Sequence, residues 1–151
     1  MGKKLLTVIY EHRYIIYIDD LGHRFPAYLE GFQRVTDPIW SKDPDAAVVN
    51  AFRAHIHDYD GLWDPIAADG IKISATEFMN GSMIEQMLTK SIIKLSKDAA
   101  SFPYFLRMKT GCSLAFAYMI FPKSMGICVA DYIQAIEDIC CYINLVNDLF
   151  S

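Results

Sequence analysis

The chain has 151 residues, 53% of them hydrophobic and 21% charged, with a formal net charge of -4. That length suits one domain with a sizeable core, and that composition excludes an intrinsically disordered chain. The acidic balance excludes a general nucleic-acid binder, which needs a basic face to displace counterions, and it supplies no polybasic membrane anchor.

The opening MGKKLLTVIY places two lysines before a short apolar run and reaches Glu11, His12 and Arg13 with no small-residue cleavage site, so it does not read as a signal peptide. Leu6 stands where N-myristoylation wants Ser or Thr. The longest uncharged stretch, residues 110–122, is too short to span a bilayer, so no membrane span is expected. Residues 7–18 are apolar and rich in β-branched side chains, which permits a strand, but their length and helical surroundings favour a buried helix. The segment 21–25 breaks that helix, and Pro26 at a first helical position opens a short one reaching about residue 35. Asp43-Pro44, a cap followed by proline, opens a helix through about residue 57. Asp64-Pro65 repeats the device and opens a longer one through about residue 95, loosened near Gly81. Ser101-Phe102-Pro103 starts another, which Gly111 interrupts before an apolar continuation to Pro122. A last helix runs from about residue 126 to the end. The expected fold is all-α, with no repeat, low-complexity segment or linker. Cys112, Cys128, Cys140 and Cys141 have no CxxC spacing, and neighbours on a helix point in different directions. They read as small core residues in a reducing cytosol, which is the compartment expected for the chain.

Two polar breaks in these apolar helices carry the chemistry. YIIYIDDLG delivers Asp19 and Asp20 at the C-terminal end of a greasy helix, where carboxylates oppose the helix dipole at a local cost of roughly 0.3–1 kcal/mol each. A bound cation would offset that cost; two solvated loop acids are the plainer alternative. In CYINLVNDLFS, Asn147 and Ser151 are four residues apart and share one helical face. Followed backwards, that face carries Asn144, Ile143, Cys140 and Ile136, a mostly apolar wall leading up to oxygen ligands. Oxygen ligands suit hard Mg²⁺, which keeps several waters and shares its shell with substrate phosphates. An apolar cavity beneath a magnesium–phosphate lid is a site for a lipid diphosphate. HIHDYD could suggest a metal-dependent phosphohydrolase, but His55 and His57 face apart on a helix and Asp58 has no partner set, so it reads as a solvated helix end. Tyr14, Tyr17, Phe78, Phe105 and Phe116 could stabilise a carbocation through their π faces, although any one of them fits a plain core.

IDDLG, FPYFLRMKTG and NDLFS, in that order, together with SATEFMNGSMIEQ between them, resemble the class I terpene cyclases, with the trichodiene synthase-like sesquiterpene cyclases as the nearest pattern. The resemblance runs from about residue 11 to residue 151. It implies an all-α class I terpenoid synthase barrel that binds Mg²⁺ and ionises and cyclises farnesyl diphosphate or a similar prenyl diphosphate. By position, Asp19 matches the leading metal-binding aspartate and Asp20 its neighbour behind the metal. Asn147 and Ser151 match the first two metal ligands of the (N/D)Dxx(S/T)xxxE motif, with Asp148 beside them. Arg107 matches the arginine that senses the diphosphate, and Gly111 the helix-break glycine whose neighbouring carbonyl faces the departing allylic cation. Phe78, Ile143 and Asn144 are expected to line the cavity.

Two departures accompany the resemblance. His23 stands where many relatives carry another acid, giving DDxxH. The glutamate expected four residues past Ser151 falls beyond the end of the chain, and fewer helices precede Asp19 than in the family. Residues 1–151 are therefore expected to be the central part of a single cyclase domain, from a truncated gene product or a partial gene model. Barrel helices at both ends would be missing, and exposed apolar faces would invite self-association. The rival expectation is a non-catalytic helical remnant that binds a partner or a lipid.

Overall fold

A computed structural model describes residues 13–30, 32 and 44–150. The fold is all-α, with no strand among the described residues. The helices are α1 (13–21), α2 (Pro26–Leu29), α3 (Pro44–His55), α4 (Pro65–Thr89), α5 (Phe102–Thr110), α6 (Ser113–Met119), α7 (Val129–Tyr132) and α8 (Ile136–Phe150), with short 3₁₀ turns between several of them. The stretch before residue 13, the Asp43 cap and Ser151 lie outside the described residues.

α4 is the spine. Asp64 caps it by accepting the Ile66 N–H at 3.1 Å, and Pro65 supplies the first-turn proline, as the Asp-Pro pair predicts. Its buried face is built largely from small residues, among them Ala67, Ala68, Gly70, Ser74 and Ala75. α6 meets that face with its own Ala115 and Ala117, so the backbones approach closely. The approach is tight enough that a Cβ on Gly70 would lie 2.3 Å from Tyr118 Cε2. Ser74 Oγ accepts the Ala115 N–H at 3.2 Å, so α4 supplies a hydrogen-bond acceptor to the first turn of α6, where helix amides lack intrahelical partners. α8 packs on the far side of α6 through Ile136, Cys140 and Asn144, a stripe at helical spacing. Phe52, Tyr59, Trp63 and Phe78 fill the centre, with Trp63 Nε1–H donating to the Met119 carbonyl at 3.4 Å.

Several boundaries differ from the sequence reading. α2 ends at Leu29, because Glu30 turns extended (ψ 124°). α3 tightens into a 3₁₀ helix over Ile56–Gly61. α4 stops at Thr89, and Ser91 takes a left-handed φ of 57°. Gly81 does not loosen α4; it lies buried in unbroken helix, where an added Cβ would meet Thr110 Cγ2 at 2.8 Å. Space against α5 is its role. The expected last helix divides into α7, a 3₁₀ turn over Ile133–Ala135, and α8. Cys112 and Cys140 are core residues as expected, whereas Cys128 is exposed and Cys141 half-buried. Opposite its buried stripe, α8 exposes Tyr142, Leu145, Leu149 and Phe150.

Candidate functional site

Three well-separated segments converge on one cleft of about 380 Å³. α1 contributes Asp19 from its last turn with Ile15 and Ile16. α5 and its C-cap contribute Arg107, Thr110 and Gly111, and α8 contributes Asn147 and Asp148. α4 supplies the floor with Phe78 and Glu85, and Phe116 of α6 completes the wall. The cleft therefore combines charged and amide groups with aromatic and aliphatic side chains. A second cleft, of about 530 Å³, shares Asp19 and Glu85 and adds His23, Ser82, Gln86 and Lys90.

Arg107 is the electrostatic centre. Its Nε lies 2.7 Å from Asp148 Oδ1, and its Nη2 donates to the Asn144 carbonyl at 3.4 Å. Asp19 is pushed above its ordinary carboxylate range first by burial and then by the adjacent Asp20 charge, with Arg107 pulling the other way. Glu85 is raised by burial and by Asp19, again opposed by Arg107. Three carboxylates thus crowd one guanidinium.

That crowding has a thermodynamic sign. Between their ordinary and raised values, the folded chain keeps protons on Asp19 and Glu85 that the unfolded chain releases. Their contribution to stability is full below the ordinary carboxylate range and is lost as pH rises through their raised values. Glu85→Gln should therefore raise the melting temperature at neutral pH in EDTA by about 1–3 °C, a modest step for partly exposed groups. The difference should disappear at acidic pH. Thermal melts of both proteins across pH check this; a lower neutral-pH melting temperature in the variant would contradict it.

Gly111 and its neighbour divide one role differently from the sequence reading. Gly111 keeps a helical φ of -73°, and the left-handed residue is Cys112, at φ 48°. A Cβ on Gly111 would lie 2.4 Å from Asn144 Oδ1 and 2.9 Å from Arg107 Nη1. The glycine is there for closeness, and the turn between α5 and α6 is made by a cysteine in a conformation costing of order 1–3 kcal/mol. Asn144 was expected in the cavity wall but is buried behind Gly111, with its Nδ2 donating to Met108 Sδ at 3.3 Å. Ile143 packs against the core instead of lining the cleft. Asp20 is exposed outside the cleft. Of the five candidate aromatics only Phe78 and Phe116 line it; Phe105 is exposed with Lys109 Nζ 4.9 Å from its ring centre, and Tyr14 and Tyr17 pack on the core. His57 is exposed, as a solvated helix end requires, but His55 is only 11% exposed, with its ring against Tyr14 and Tyr59 and Asp58 at 3.7 Å.

Sequence reasoning missed Glu85. Its signal was available: it is seven residues, two helical turns, beyond Phe78 and so on the same face of α4, a carboxylate between Ile84 and Leu88.

Among the described residues, no cluster of three or more His, Cys, Asp or Glu side chains is placed to hold a metal. The donors that do line the cleft (Asp19, Glu85, Asn147 and Asp148) are all oxygen donors. They fit a hard cation that keeps water and ligand oxygens in its shell, and do not form an all-protein cage. No helix among the described residues is long and apolar enough to cross a membrane.

No family model matches the chain. It is similar to terpene synthase BipA of Cochliobolus sativus, at 27% identity over 139 residues, which cover 90% of this chain and 41% of that protein. It is 31% identical over 110 residues to monoterpene synthase 25 of Postia placenta, covering 71% of this chain and 32% of that one. It is 26% identical over 138 residues to alpha-cuprenene synthase COP6 of Coprinopsis cinerea, covering 91% and 41%. The chain thus spans about two fifths of the length of the relatives it matches most extensively. Matches that run across most of this chain, from three fungi and all to terpene synthases, set beside an all-helical fold, identify it: the chain belongs to the terpene cyclase family.

Proposed function

We propose that this chain carries the ionising end of a Mg²⁺-dependent sesquiterpene cyclase acting on farnesyl diphosphate or a similar prenyl diphosphate. The observation that supports the reading is the meeting of Asp19, Arg107 and Asn147, from α1, α5 and α8, in one cleft that also holds Phe78 and Phe116. A diphosphate would take its place beside Arg107, whose planar fork of donors matches phosphate oxygens. Asp19 and Asn147, with Ser151 as the third ligand, would hold Mg²⁺, and Glu85 and Asp148 would lie close enough to share its charge. Bound there, the metal supplies Lewis-acid stabilisation of the leaving diphosphate. Arg107 would stabilise the same developing charge through its guanidinium hydrogen bonds, the kind of contribution on which such sites rely most. Ile15, Ile16, Phe78 and Phe116 would face the prenyl chain, and an aromatic ring turned towards a cation there would contribute roughly 0.5–2 kcal/mol. We place the protein in a reducing cytosol, where its four free cysteines persist as thiols.

Incubating the chain, within a complete cyclase domain, with farnesyl diphosphate and Mg²⁺, and analysing both released diphosphate and hydrocarbon products, tests the reading. Metal-dependent release that EDTA abolishes is expected. Diphosphate release at the same rate in EDTA would refute the magnesium assignment. A protein that binds prenyl diphosphate yet never releases diphosphate would favour the non-catalytic remnant.

A further inference from the structure

Arg107 is not idle in the cleft. Asp148 Oδ1 sits 2.7 Å from its Nε, an ion-pair distance, yet the Nε–H makes no aligned hydrogen bond. The carboxylate therefore holds the guanidinium by charge, without the two parallel bonds of a well-oriented arginine–carboxylate fork. The remaining guanidinium contact, Nη2 to the Asn144 carbonyl, is long at 3.4 Å. The Asp148 side chain is 55% exposed, so it can turn into water at little cost. Among the described residues, Asp148 is the carboxylate in direct contact with Arg107; Asp19 and Glu85 share the cleft without an ion pair to it.

We infer that Asp148 is a tethered competitor for the anion at Arg107: it occupies the guanidinium until a diphosphate displaces it, and so sets how tightly the cleft holds anions. The inference rests on the anion-binding role proposed above for Arg107. A competing carboxylate and a supporting one make opposite predictions. If Asp148 competes, neutralising it frees the donors and removes a negative charge from the path of the incoming phosphate. If it merely props the guanidinium, neutralising it lets Arg107 wander and weakens binding.

The test is calorimetric titration of inorganic pyrophosphate into the protein in EDTA, for the parent and for Asp148→Asn, Asp148→Glu, Glu85→Gln and Arg107→Ala, with circular dichroism melts to verify folding. Asp148→Asn should bind about three- to tenfold more tightly, the range set by a partly exposed ion pair in contact with the donor. Asp148→Glu should behave like the parent. Glu85→Gln, which removes a cleft charge that does not touch Arg107, should gain less than Asp148→Asn. Equal or weaker binding by folded Asp148→Asn overturns the inference, as does an equal gain in Glu85→Gln, which would mean that net charge alone is being read. Undiminished binding by Arg107→Ala, or no binding by any of the proteins, would instead overturn the anion site itself.

Discussion

Within a complete cyclase domain, Arg107→Ala is expected to reduce turnover of a prenyl diphosphate by about 100- to 1000-fold, the loss that follows removal of one positioned donor to developing negative charge, about 2.7–4 kcal/mol. Folding should suffer far less. The Arg107 side chain is 26% exposed and Asp148 55% exposed, and a pair at that depth is worth about 0.2–1 kcal/mol. α5 buries none of its residues, so truncation there opens no core cavity. Single-turnover diphosphate release, set beside a chemical denaturation curve, separates the two effects. Turnover at the parent rate would remove Arg107 from the chemistry. A loss of stability beyond 2 kcal/mol or so would show that the guanidinium is chiefly a structural clamp between α5 and α8.

Gly111→Ala is expected to damage both stability and anion binding, for a reason that backbone propensity does not supply. At φ -73° an alanine has no conformational objection, and on helix propensity alone the change would favour the fold. The new methyl would instead meet Asn144 Oδ1 at 2.4 Å and Arg107 Nη1 at 2.9 Å. Asn144 is buried on α8 and the Arg107 backbone carbonyl also lies 2.9 Å away, so the guanidinium alone can give. The cost should be about 1–3 kcal/mol of overpacking, with pyrophosphate affinity falling as the guanidinium is pushed aside. Gly61→Ala is the matched control, since a Cβ there meets nothing within 4 Å. A Gly111→Ala protein as stable as the Gly61→Ala control would show that the interface between α5 and α8 can open without penalty.

The sequence carried the fold where local chemistry decides it. Asp64-Pro65 announces the start of α4 because a cap and a first-turn proline act within one turn. Asp19 and Asn147 were legible because each interrupts an apolar helix, and an interruption can be read without knowing what faces it. What failed needed a neighbour to be known. Gly81 reads locally as a weak point, yet Thr110 across the interface makes it a tight packing site inside continuous helix. Glu85 reads as one more polar residue on α4 until Asp19 and Arg107 are placed opposite it. No propensity scale favours a left-handed cysteine, so Cys112 could be found only from the packing of α5 and α6 around it.

The two helices that meet at Cys112 are anchored very unequally. α6 buries five of its seven residues and has its first turn bonded to Ser74 of α4, whereas α5 buries none. Local opening follows the weaker anchorage. A change of angle at the joint would therefore fall first on α5, a door leaf latched to α4 by Lys109–Glu77 at 3.0 Å, while α6 would serve as its post. Arg107 rides on the leaf and Phe116 is fixed to the post. Movement there would change the reach of the cation and leave the Phe116 side of the cleft in place.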